Sequence, residues 1–138
     1  METKDIADLF IIATEKIEFY WNFYTVTLLA LIGWLISTKK QLRLGLKCLI
    51  TMGYLLFALM NIFRLLGSYT FAEALRQDLL IAAQSTPDSL KNTHAILSKF
   101  SFSWQKLLVL INHSILGVFV LSVIWFGRIG DLGKEDKS

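Results

Sequence analysis

Proline occurs once in this chain, at Pro87, and cysteine once, at Cys48. A lone cysteine excludes an intrachain disulfide and leaves the redox compartment open. With one proline and only scattered glycines, little interrupts helix formation. Charge is sparse too, at 18% of residues against the usual quarter in soluble domains. The net charge of +3 is small and dispersed, which argues against nucleic acid as a partner. No repeat, low-complexity tract, nucleophile elbow or phosphate-binding glycine loop is present. Two histidines and one cysteine provide no recognisable metal set, so no metal and no cofactor is expected.

What the chain has instead is apolar residues, 54% of the total, gathered into three blocks. They run over residues 19–37, 48–66 and 107–126, each near the roughly 20 residues a helix needs to cross a hydrocarbon core of about 30 Å. Buried helices of a soluble bundle keep one polar face, whereas Leu28 to Ile36 and Leu107 to Ile111 are apolar all round. Tyr20, Trp21, Tyr24, Trp104 and Trp125 crowd the block ends, where interfacial aromatics belong. The expected fold is an all-α integral membrane protein, one domain over 1–138, with three transmembrane helices. The chain starts Met-Glu-Thr-Lys-Asp, acidic where a signal peptide is basic, and no small-residue cleavage site follows. The first block is therefore expected to be retained.

The connection 38–47 carries Lys39, Lys40, Arg43 and Lys47 with no acid among them. The positive-inside rule places it in the cytoplasm, with the N-terminus outside and the tail 127–138 inside. The membrane expected is the cell membrane, plasma or inner. Outside the spans, residues 4–18, 68–85 and 88–105 keep helical periodicity. Phe71, Leu75, Leu79 and Ala82 recur at spacings of four, four and three, and Leu97, Phe100 and Trp104 at three and four. Gly67 is the weakest point in the second extension. Each extension then continues its span, giving three long antiparallel helices in an up-down-up bundle with a hairpin near Pro87. The rival is separate amphipathic helices on the outer membrane surface, whose polar faces would be expected to be basic. Here acids are as frequent as bases.

Polar residues within or beside the spans need a reason. Glu15, Glu18, Asn22 and Thr25 share one face of the first helix, and Tyr54, Phe57, Asn61 and Arg64 one face of the second. On the third, His113 shares a face with Lys106, Val109 and Gly117, and Asn112 precedes it. One expectation is a polar cluster in the outer half of the bundle, made of Glu15, Glu18, Asn22, Asn61, Arg64, Asn112 and His113. Arg64 would pair with Glu18 or Glu15. The other is that Arg64 snorkels to the headgroups. His113 suits an interhelical hydrogen bond; a haem ligand would need a second axial residue, and the other histidine, His94, lies in an outer segment.

These features lead to a small non-catalytic membrane protein, a homo-oligomer or an accessory subunit of a membrane assembly. Its partners would be the bilayer and either itself or another membrane protein. An alternative is an oligomeric pore lined by Asn22, Thr25, Asn61 and Asn112. Three spans, an external N-terminus and a charged internal tail (Arg128, Lys134, Glu135, Asp136, Lys137) make the layout resemble three-span phage holins. The resemblance is one of topology and carries no motif, and the long external hairpin departs from their short loops. A haem-binding or redox subunit using His113 is the third reading.

Overall fold

The computed structural model describes residues 3–38, 42–85 and 91–126. Every element among them is helical: α1 (Thr3–Ser37), α2 (Leu44–Ser85), α3 (Lys91–Lys99) and α4 (Ser103–Phe126). Lys39, Lys40, the turn expected at Pro87 and the tail 127–138 lie outside the described residues.

Three of the helices, α1, α2 and α4, are long and apolar enough to cross a membrane. At 1.5 Å per residue, the 35 residues of α1 and the 42 of α2 extend about 52 and 63 Å, well beyond a hydrocarbon core of about 30 Å. Gly67 does not interrupt α2. The roughly 1 kcal/mol that a helical glycine costs is outweighed by the packing of Leu65, Tyr69 and Ala72 on either side of it.

The contacts run antiparallel. Trp21 meets Tyr69 while Tyr24, further along α1, meets Tyr54. Between α2 and α4, Asn61 meets His113 and Thr51 meets Trp125. Two clusters form the interior. One gathers Ala13, Ile17, Leu65, Tyr69, Ala72 and Phe102. The other gathers Tyr24, Leu28, Tyr54, Ala58, Val120 and Ile124. The outward faces are apolar as well: Val26, Leu29, Leu49, Phe63, Ile115 and Val118 are all exposed.

Two expectations change. The connection expected over 38–47 is shorter, because α2 begins at Leu44, where the Arg43 carbonyl accepts the N–H groups of Leu46 and Lys47 at 3.0 Å. The third helix is not continuous through 88–105. It breaks at Phe100–Phe102, between α3 and α4. The reason is local and tertiary at once. Ser101 Oγ accepts the Ser103 N–H at 3.3 Å, an alternative to the helical ladder, and the break lets Phe102 enter the core with 3% exposure.

Candidate functional site

His113 projects from α4 at the level where the two core clusters meet, and is buried. Its Nδ1 lies 2.8 Å from the Val109 carbonyl oxygen, one turn back on the same helix. A carbonyl only accepts, so Nδ1 carries the proton and donates it. Nε2 is then the lone-pair nitrogen and accepts from the Asn61 amide of α2 at 3.1 Å. Asn61 is buried too, at 5% exposure. The pair therefore satisfies both ring nitrogens with neutral partners, as a buried polar group requires.

Aromatic rings enclose this pair. Tyr24 stacks on the imidazole with centroids 4.0 Å apart, and Trp21 lies tilted at 5.4 Å. Two more hydrogen bonds flank it: Trp21 Nε1 donates to Tyr69 Oη at 3.0 Å, and the hydroxyls of Tyr24 and Tyr54 bond at 3.2 Å. A Cβ added at Gly117, one turn beyond His113, would lie 3.5 Å from Tyr54 Oη, an ordinary van der Waals contact, so the position has room for a methyl group. The result is a neutral polar layer joining α1, α2 and α4. Among the described residues no buried side-chain nitrogen or oxygen lacks a partner.

Of the seven residues expected to cluster, the structure brings together Asn61 and His113. Glu15, Glu18, Asn22 and Asn112 are exposed. The shared face of Glu15, Glu18, Asn22 and Thr25 exists, but it points away from the core, because Ala13, Ile17, Tyr24 and Leu28 occupy the inward stripe. The expected pairing of Arg64 with Glu18 or Glu15 is not made. Arg64 Nη1 instead points to Tyr20 Oη at 3.5 Å, and no carboxylate among the described residues pairs with it. Of the basic connection, Arg43 is exposed, and Lys47 donates to the Trp125 carbonyl at 3.2 Å with its ammonium 6.0 Å over the ring.

A second polar centre lies further along α2, beside the cluster around Phe102. Glu73 and Arg76, three residues apart on α2, form a two-pronged ion pair of 3.0 and 2.7 Å. Glu73 also accepts the Phe102 N–H at 3.2 Å, at the start of α4, while Arg76 Nη1 donates to the Leu97 carbonyl at 2.7 Å, in the last turn of α3. Each charge therefore sits at the helix end whose partial charge it complements. Arg76 pulls the Glu73 carboxyl from its ordinary 4.5 down to about 2, overcoming the opposing effect of burial, with help from the Phe102 N–H and Gln77. The sequence signal for this pair was an i, i+3 Glu–Arg on a helix. That spacing is too common to single it out, because the α3–α4 break it serves depends on tertiary contacts.

Comparison with protein-family models, curated proteins and solved structures finds no match to the chain. No group of three or more His, Cys, Asp or Glu side chains suited to a metal ion occurs among the described residues.

Proposed function

We propose that this chain is a non-catalytic integral protein of the plasma or inner membrane, assembling with further copies of itself or as an accessory subunit of another membrane protein. Helix length and outward apolar surface support insertion. Only 11 to 22% of the most apolar windows of α1, α2 and α4 is buried within the chain. A water-soluble monomer seldom leaves so large an apolar surface uncovered. The basic connection with Lys39, Lys40, Arg43 and Lys47 supports a cytoplasmic position for it, with the N-terminus outside and the C-terminal tail inside. In that placement the antiparallel helices form an up-down-up bundle. The cluster around Phe102 then stands outside the hydrocarbon, and the cluster around Tyr54 lies within it.

The observation that carries assembly is Asn112. It is exposed on α4 between Leu108 and Ile115, which are exposed as well, so its amide sits on an apolar outward face. Lipid tails have no partner for an amide, whereas a second helix does. Native mass measurement of the full chain in nanodiscs should show an oligomer or a retained partner, and Asn112→Leu should shift it toward the single chain. A wild-type protein that is monomeric and partner-free would overturn the reading.

The hydrogen bonds of His113 speak against a haem or redox role, since an iron ligand would have to displace Asn61 or Val109 from the ring. The pore reading retains one supporting observation, the exposure of Asn22, Thr25 and Asn112. Asn61 is committed to His113 inside the chain and would not line such a pore. Dye leakage from cells or vesicles on expression supports the pore; intact membranes at high expression count against it.

A further inference from the structure

Between α1 and α2 lies a groove of about 260 Å³ whose walls and ends differ sharply in chemistry. Phe19, Phe23, Phe57 and Met60 make it apolar, and three of the four stand open to the outside: Phe19 at 62%, Phe23 at 51% and Met60 at 61% exposure. Phe23 and Phe57 meet edge to face at 5.6 Å across the seam. Arg64 and Tyr20 also line the groove, and Asn61 closes part of its floor.

Arg64 is the feature that the polar layer leaves unexplained. It is exposed, and among the described residues its one hydrogen bond is the 3.5 Å contact to Tyr20 Oη and no carboxylate balances its charge. A guanidinium carries five N–H donors in a fork suited to phosphate oxygens. From Arg64, the apolar lining runs in one direction. Phe57 lies seven residues back along α2, about 10 Å at helical rise, and Phe23 lies three residues beyond Tyr20 on the antiparallel α1. A cationic end followed by about 10 Å of aromatic groove has the polarity and length of a phosphate headgroup with the upper part of an acyl chain.

We infer that this groove is a phospholipid site, with the headgroup phosphate on the Arg64 guanidinium beside Tyr20 and one acyl chain along Phe19, Phe23, Phe57 and Met60. The inference rests on the membrane-spanning reading above, in which Arg64 lies two to three residues inside the outer end of its span, at headgroup depth for a long side chain. It also gives Arg64 a counter-charge that no carboxylate among the described residues supplies. Because Asn61 belongs both to the groove floor and to the His113 bond, an occupied groove would brace the polar layer from outside.

The test uses the full chain in two steps. Alkaline carbonate extraction of membranes scores the spanning reading by itself: release into the soluble fraction overturns both proposals. Retained protein is then purified, stripped of lipid in detergent and titrated with dioleoyl phosphatidylglycerol, with dioleoylglycerol as the phosphate-free probe, by native mass spectrometry. The phospholipid should bind at least tenfold more tightly than the diacylglycerol. Arg64→Gln should remove that preference, Met60→Trp should fill the groove and reduce binding severalfold, and Arg43→Gln, just ahead of the distant N-terminal end of α2, should leave it unchanged. Equal binding of the two probes, or an unaltered preference in Arg64→Gln, overturns the site. A Met60→Trp protein that keeps its lipid but loses copies would show that another helix fills the groove, and overturns it equally.

Discussion

The two halves of the interior solve the same packing problem with different chemistry. Around Phe102 the helices are joined by charge: the Glu73 and Arg76 pair reaches from α2 to the end of α3 and the start of α4. Around Tyr54 they are joined by neutral groups, namely the Tyr24–Tyr54 hydroxyl pair, stacked rings and aliphatic contacts. The His113–Asn61 layer stands where one regime gives way to the other. In the proposed placement the boundary has a simple cause. Outside the hydrocarbon, ions retain partial hydration and a paired charge is tolerated, whereas inside it a charge is costly and neutral groups must satisfy one another.

The largest test breaks the charged half alone. Glu73→Ala leaves the guanidinium of Arg76, itself 8% exposed, without its carboxylate. Removing one partner of a fully buried pair costs roughly 3–5 kcal/mol, and this part-buried pair belongs at the bottom of that range. At the low end this means about a hundredfold faster hydrogen exchange through α3 and the first turn of α4. Exchange around Tyr54 and Val120 should be unaltered; equal loss in both halves would erase the distinction. The same pair sets a pH dependence. Because the folded-state value of Glu73 is depressed from 4.5 to about 2, its contribution is full above 4.5 and is lost as pH falls through about 2. Protection of α3 attributable to this pair should therefore be flat from pH 8 to 5 and fall only in stronger acid.

An intermediate effect is expected at the boundary. Asn61→Leu or His113→Leu alone strands a buried partner, at about 1–3 kcal/mol. The double variant should recover part of this, with a coupling of about 0.6 kcal/mol and at most about 1.7 kcal/mol, the average and maximum found for polar pairs between membrane helices. Denaturation of the four proteins in matched detergent measures it, and strict additivity would mean that the two side chains do not act together. The smallest effect belongs to Lys47→Met. Lys47 reaches the Trp125 carbonyl near the C-terminal end of α4, a contribution of about 0.3–1 kcal/mol. A thermal shift corresponding to more than about 2 kcal/mol, beyond the usual range for a helix-end charge, would show that the neutral half also depends on charge.

Much of the architecture was legible from residue order. The three apolar blocks, the helical periodicity of the segments beyond them and the interhelical suitability of His113 all follow from side-chain type and spacing. The polar cluster was legible only in part. Glu15, Glu18 and Asn22 do share a face, but a helix carrying both a polar and an apolar-aromatic stripe can turn only one inward. The inward stripe is that of Ala13, Ile17, Tyr24 and Leu28. The break at Phe100–Phe102 was hidden because Leu97, Phe100 and Trp104 keep helical spacing straight through it.

Sequence by itself therefore determined the helical class and the number of long apolar helices, since these depend on local periodicity and on hydropathy summed over one segment. Tertiary structure decided which polar groups meet. Asn61 and His113 lie 52 positions apart, and their tautomer-specific bond exists only once α2 and α4 are aligned in one register. It likewise decided that Arg64 finds a tyrosine rather than a glutamate, and that Glu73 and Arg76 brace a helix break. Hydrogen bonds and ion pairs act over a few ångströms, so their partners are settled by packing and not by pattern.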